Sequence, residues 1–512
     1  MMSEIENNSD KPDDKTGSLK PASPNADRTP DFTSFWNYSE SPESIDSVEI
    51  NSKYDHFIAG KFVKPAKGRY LKSFNPAIGE LLCEFAEGTT EDVDFAVKSA
   101  RKAFNYWSAL PGKDRGKYIF RLARMIQERA KEFAVIESMD GGKPIRESRD
   151  VDIPLVAAHF FYYAGWADKL DYAFPGRIAS PIGVCGQIIP WNFPLLMLAW
   201  KIAPALATGN TIILKPAETT PITALKFAEL CNDADLPDGV INIVTGTGQT
   251  GSLIVNQPDV DKIAFTGSTE VGKIILNDIA GTNKKYTLEL GGKGANIIFD
   301  DAPVDQAVEG VINAIFFNQG HVCCAGSRLL VQENIADQFI QKLKDRMEML
   351  ILGDPLDKNT DIGAINSRDQ LNKINRYLEI GQEEGATMYQ SGQELPENGF
   401  YCKPTLFTNV SQSDRIVREE VFGPVLTVQT FRTPDEAIKK ANNTPYGLAG
   451  GIWSDKGSKV YKAGSEMRSG VVWSNTYNKF DPASPFGGFK ESGIGREGGL
   501  HGLYPYVTLQ NN

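Results

Sequence analysis

The sequence predicts an α/β protein built from two domains. Three observations carry this expectation. The chain has 512 residues, more than one hydrophobic core usually holds. From Gly183 onward, short β-rich runs alternate with helical segments, and a Pro, Gly or Thr closely follows each run. That alternation marks a parallel sheet covered by helices on both faces. After Ala295 a second series of the same kind begins, with no internal repeat of solenoid length.

In chain order, residues 1–50 come first, rich in Ser, Asn, Asp, Glu and Pro, with few apolar residues before Phe32. Such a segment buries too little to order itself and is expected to be a disordered acidic tail. Phe35, Trp36 and Tyr38 are the residues by which its later part would dock. Folded sequence is expected from Tyr54. Segment 91–135 carries a helical period in Val93, Ala96, Val97, Ala100 and Phe104, and again in Ile119, Leu122, Ala123 and Ile126. Thr90, before Glu91 and Asp92, is the expected N-cap. The first β series reads 184–189, 211–214, 240–244, 262–265 and 286–290. The second reads 296–299, 328–331, 425–430, 450–453 and 471–475.

A net charge of −11 argues against nucleic acid or an anionic membrane as partner. The six cysteines form no CxxC pair and the four histidines are scattered, so no metal site is expected and a reducing compartment is. The N-terminus is polar and acidic, unlike a signal or transit peptide. Asn192, Lys201 and Asn210 break the most apolar stretch, 181–214, into pieces too short to span a bilayer. A cytoplasmic protein is the expectation.

Several turns are suited to a dinucleotide. Gly246, Gly248 and Gly251 fit G-x-G-x-x-G after the run 240–244, but no acid follows at the usual distance, so the match is weak. Other turns form a better set. Pro190 to Pro194 (PWNFP) follows one strand. Lys215 to Glu218 (KPAE) follows the next, where a carboxylate would hold a ribose hydroxyl and repel a 2′-phosphate, favouring NAD over NADP. Thr266 to Gly272 (TGSTEVG) opens a helix, and Gly267 and Gly272 would admit a phosphate to its N-terminus. The plainer alternative for Lys215 and Glu218 is an ion pair after a strand.

The chemistry centres on two motifs. Residues 317–328 read FNQGHVCCAGSR, and Glu289 opens ELGGK 34 positions before Cys323. A thiolate can add to a carbonyl carbon, and a carboxylate can then activate water to release the acyl group. Taken singly, the two cysteines read as small buried hydrophobes and Glu289 as a solvated acid. The flanking glycines and Ala325 make room for a ligand at both.

Together with EEVFGPV (419–425) and SPFGGFKESGIGRE (484–497), these motifs stand in the order and spacing of the NAD(P)-dependent aldehyde dehydrogenase superfamily, which the chain resembles from about Tyr54 to its end. The resemblance implies a Rossmann-like cofactor-binding domain (51–158 and 182–291), an α/β catalytic domain (292–490) and a small bridging or oligomerisation element (159–181 and 491–512). It also implies Cys323 as nucleophile, Glu289 as general base and Asn192 as side-chain oxyanion donor beside the Cys323 backbone N–H. Lys215 and Glu218 would hold the adenosine ribose. Trp191, Gly267 and Ser268 would line the pyrophosphate and nicotinamide path, and Glu420 with Phe422 would hold the nicotinamide ribose. Phe193, Trp200, Phe480 and Phe486 align with the family's substrate tunnel, and an aromatic wall favours apolar or aromatic aldehydes.

Two features depart from the family pattern. His321 stands where Gln or Glu is usual, and a charged imidazole there would lower the thiol pKa; the alternative is a ring packed away from the thiol. The link between Lys169 and Pro181 holds only 11 residues, shorter than the hairpin of tetrameric members, so a homodimer is expected. Two competing functions remain open at this point: a CoA-acylating aldehyde dehydrogenase, against which Glu289 counts, and a non-catalytic binding homologue.

Overall fold

The structure is a computed structural model that describes residues 39–46 and 48–511. The compact unit beginning at Glu40 carries every element below. The expected tail and its aromatics Phe35, Trp36 and Tyr38 lie outside the described residues.

The first β series forms the centre of an eight-stranded sheet. Its order runs Gly493–Ile494, Lys285–Glu289, Lys262–Thr266, Val184–Ile188, Thr211–Lys215, Ile241–Ile243, His56–Ile58, Lys61–Val63. The five middle strands are parallel. In the middle three every residue is buried, which is why they read as short continuous apolar runs rather than as an alternation. From Val184–Ile188 the chain winds outward one way through 211–215 to 241–243, then returns to 262–266 on the other side. The switch point therefore falls between the ends of Val184–Ile188 and Lys262–Thr266, where a doubly wound sheet opens its crevice. PWNFP and TGSTEVG emerge there.

The second series supplies five strands of a seven-stranded sheet in the order Thr387–Gln390, Thr405–Thr408, Val425–Phe431, Arg328–Gln332, Ala295–Ile298, Ala449–Trp453, Val471–Ser474, parallel except for the first strand; the first two were not expected from the sequence. The tight turn Leu290–Gly294 passes the chain from one sheet to the other, so Glu289 stands at the seam. The helix Pro194–Ala207 is buried at every residue, as an all-round apolar sequence demands. Its one charge, Lys201, pairs with buried Glu497.

Two expectations are refined. The helix Thr90–Ala109 is capped by Thr89, not Thr90, because Asp92 reaches back to accept the Thr89 N–H at 2.8 Å. The short link after Lys169 is ordered: a turn of helix, Leu170–Ala173, leads into the strand Arg177–Pro181, which pairs antiparallel with the C-terminal strand Val507–Asn511. No described helix is long and apolar enough to cross a membrane.

Candidate active site

A cleft of about 1100 Å³ opens at the switch point and runs toward the second sheet. Its wall contains Cys323, Glu289 and Asn192, the cofactor candidates Trp191, Gly267, Ser268, Glu420 and Phe422, and the tunnel candidates Phe193, Trp200, Phe480 and Phe486. Residues more than two hundred positions apart in sequence thus share one cavity.

Three of the expected residues lie off it. Lys215 and Glu218 are joined to each other at 3.1 Å, the ion pair that was the plainer alternative, with Lys215 buried and Glu218 half exposed. Gly272 packs against the seam: a Cβ there would sit 2.6 Å from the Leu290 side chain, so its smallness seats the helix Thr269–Ile279. The Gly246–Gly251 loop does not line the cleft, although a Cβ on Gly251 would stand 3.5 Å from the Ile188 side chain. It caps the helix Gly248–Asn256 through Thr247, beyond the outer parallel strand.

The thiol loop is built by long-range contacts. Phe317–Gly320 makes one tight turn with Asn318 and Gln319 in the left-handed region, at φ 48° and 51°. Gly320, also left-handed at φ 74°, leaves no room for a Cβ beside the Gly423 carbonyl, and Gly292 leaves none beside the Cys323 carbonyl. These two glycines let the thiol loop, the ELGGK turn and the EEVFGPV loop close on one another. Cys323 is half buried and Cys324 fully buried. The hydrogen bond its thiol donates to Cys324, then burial and the Glu420 carboxylate, raise the Cys323 thiol well above its ordinary range.

Glu289 ends its strand with its carbonyl accepting the Gly267 N–H at 3.1 Å. Both its carboxylate oxygens are buried without a protein partner. Burial, followed by the neighbouring Glu497 carboxylate, raises its pKa well above the ordinary carboxylate range, while Lys201 and Arg496 oppose the shift. A carboxyl raised in this way binds a proton more readily than an ordinary one, which suits a group that takes a proton from water. Asn192 is 7 % exposed, and its amide donates to the His321 carbonyl at 2.7 Å. An amide nitrogen has two N–H groups, so one remains for a ligand.

His321 does not act as a charged neighbour of the thiol. Its ring packs edge-on to Trp191 at 4.8 Å and parallel to Phe422 at 5.8 Å, and burial pushes its pKa down to about 3. The ring fills the space between Trp191 and Phe422. At the other end, Trp200, Phe480 and Phe486 form an aromatic box with ring centroids 5.2 to 6.4 Å apart.

The cleft contains groups that sequence reasoning missed. Gln370 and Lys373 join Glu420 and Phe422, with the Gln370 amide donating to the Phe422 carbonyl at 2.8 Å. The buried Lys201–Glu497 pair stands behind Glu289. The polar residue in the wholly apolar helix 194–207 was the available signal for that pair; a lone Gln and Lys on an amphipathic helix gave none.

The dinucleotide candidates fit on structural grounds. The crevice lies at the switch point, an 11-residue helix directs its N-terminus there, and the Glu420 carboxylate, accepting the Gly292 N–H at 2.9 Å, fills the space a Cβ on Gly291 would need.

The profile of the aldehyde dehydrogenase family matches residues 62–511. The chain belongs to the aldehyde dehydrogenase family. As such it is an oxidoreductase acting on aldehydes with a nicotinamide dinucleotide. Human retinal dehydrogenase 2 is 45 % identical over 92 % of this chain and 93 % of its own. The mitochondrial benzaldehyde dehydrogenase of Antirrhinum majus is 44 % identical, covering 90 % and 89 %. Among solved structures, the NAD+ complex of an aldehyde dehydrogenase from Bacillus cereus superposes with a TM-score of 0.87, at 41 % identity, over 90 % of this chain and 96 % of that one. The expected family and fold class are borne out.

Proposed function

We propose that this aldehyde dehydrogenase oxidises an apolar or aromatic aldehyde to its carboxylic acid with NAD, through a thioester on Cys323. The observation that supports this reading is the shared cleft: thiol, carboxyl and amide lie between an aromatic box on one side and Glu420, Gln370 and Lys373 on the other.

Cys323 loses its proton as it attacks the aldehyde carbon, giving a thiohemiacetal. The free N–H of Asn192 and the Cys323 backbone N–H stabilise the developing oxyanion. Trp191, Gly267 and Ser268, with Glu420 at the ribose, would hold the nicotinamide dinucleotide, which would supply the hydride acceptor for the oxidation. Glu289 takes a proton from water, which opens the thioester, and the Lys201–Glu497 pair behind it sets the field in which it does so. Asn192→Ala should fold normally and lower kcat by about 10²–10³, the usual loss for one oxyanion donor. Steady-state kinetics beside a thermal melt would check this.

The aromatic box carries the substrate class, and relatives named for retinal and benzaldehyde support it. NAD is preferred to NADP because Glu218, at the end of the second strand, would repel a 2′-phosphate, even though it rests here on Lys215. The division into cofactor domain, catalytic domain and bridging element stands as part of this reading, as does a homodimer, for which the ribbon 177–181 with 507–511 is the candidate bridging surface. Six free cysteines fit a reducing compartment such as the cytoplasm.

The test is a screen of NAD reduction over aliphatic, aromatic, amino- and carboxy-aldehydes. The highest kcat/KM is expected for the apolar and aromatic members. A preference for a carboxy- or amino-aldehyde would overturn the substrate class, and an acyl-CoA product formed only with CoA would overturn the role of water.

A further inference from the structure

Beneath the thiol loop lies a buried ionic cluster that the mechanism above does not use. Lys143, Glu137, Asp152 and Glu147 are each no more than 6 % exposed. Lys143 is ion-paired with Asp152, lies 3.9 Å from Glu137, and sits 4.0 Å above the Phe193 ring. Glu147 ends the short helix Ile145–Glu147, before a widened π-helical turn, Ser148–Asp152. One cation among three buried carboxylates is costly unless each group has a polar task.

The task of Glu147 can be traced. Its Oε2 accepts the Asn318 backbone N–H at 2.8 Å. Asn318 and Gln319 are the two non-glycine residues of the thiol loop in the left-handed region, a conformation that side-chain-bearing residues adopt only when their surroundings hold them. The Gln319 amide is held in turn by the Gly142 and Ala364 carbonyls, at 3.1 and 2.9 Å. The Asn318 amide donates to the Asn192 carbonyl at 2.8 Å, and the Asn192 amide donates to the His321 carbonyl. A single chain of hydrogen bonds therefore runs from Glu147 through Asn318 to the oxyanion donor and back to the loop bearing Cys323.

We infer that Glu147 is a positioning residue for the reaction: by holding the Asn318 N–H it fixes the left-handed turn, and so the relative placement of the Cys323 thiol and the Asn192 amide. The inference rests on the roles proposed for those two residues. A misplacement of about 1 Å in such a site costs on the order of 10²-fold in rate.

Three variants test it. Glu147→Ala removes the acceptor. Glu147→Met removes it at similar volume, and is the variant to read should the alanine form not fold. Glu147→Gln retains a carbonyl oxygen at the same reach. Measured quantities are the melting temperature, NAD binding, kcat, KM and the rate of Cys323 alkylation by iodoacetamide. The Ala and Met forms are expected to lose about 10- to 100-fold in kcat and to show altered alkylation, with NAD affinity unchanged, and Gln should recover kcat to within about threefold of wild type. A folded Ala or Met form with wild-type kcat overturns the inference, as does a Gln form as slow as Met. A fall in melting temperature with kcat per folded site unchanged does so too, since that is a structural role. Cys323→Ala, assayed alongside, separates the two levels: if it turns over, the reading of the site fails; if it does not and the Glu147 variants do, only this inference fails.

Discussion

Cys323→Ala should bring aldehyde oxidation down to background, a loss on the order of 10⁶, the scale at which enzymes respond to removal of an attacking side chain. The expectation follows from the wall of the cleft. Cys324 is the neighbouring thiol, but it is 1 % exposed and donates to the Asn478 side-chain oxygen Oδ1 at 3.7 Å. It is held there and cannot substitute. Cys323→Ala removes a polarisable group from a half-buried position and leaves no unpaired charge, so melting temperature and NAD binding should stay near wild type. The measurement is NADH formation in the steady state and in a single turnover. Both should vanish, because hydride leaves only after the thiohemiacetal has formed. Turnover retained above one tenth of wild type would remove Cys323 from the reaction. The same deletion at Cys324 should change kcat by less than about threefold, which controls for loss of packing.

Most of the parallel strands were legible to within a residue or two, the central ones because they are buried on both faces; Thr405–Thr408 was not read. Val184–Ile188 and Thr211–Lys215 need apolar side chains at nearly every position and end at a turn rich in Gly or Pro. The edges were not legible. Gly493–Ile494 is two residues long and joins the sheet only because Glu289 is beside it, and Arg177–Pro181 finds its partner some 330 positions away. Neither has a periodicity of its own. The same split holds in the site. Cys323, Glu289 and Glu420 stood out because glycines around them announce close backbone approach, which the collisions at Gly291, Gly292 and Gly320 show to be required. Lys201 and Glu147 carry no such flank. Their meaning is a partner far off in sequence, and only folding brings it near. Gly272 shows the limit of that signal: glycine looks alike whether a ligand or a leucine comes close.

Glu289→Gln should produce the opposite kinetic pattern to Cys323→Ala: one NADH per active site formed quickly, then almost no turnover. The amide cannot accept a proton from water, so the thioester forms and stays. General-base catalysis contributes about 10²–10⁴-fold, and steady-state kcat should fall by that amount while the burst remains. Rapid mixing with absorbance of the reduced nicotinamide gives burst and steady state together, and mass spectrometry of the quenched enzyme should show the acyl group on Cys323. The pH dependence adds a second reading with a definite sign. Burial and Glu497 raise the Glu289 carboxyl, so it is protonated and idle at low pH and becomes a base only as pH climbs through its raised value. Wild-type turnover should therefore rise with pH on that limb. The thiol of Cys323 is raised as well, so the burst rate should also rise with pH, and it should do so equally in wild type and Glu289→Gln. Only the steady-state limb should disappear with the carboxyl. Should Glu289→Gln lose the burst along with the turnover, the carboxyl would be acting on the thiol before the hydride leaves, and the order of the two proton transfers would have to be reversed.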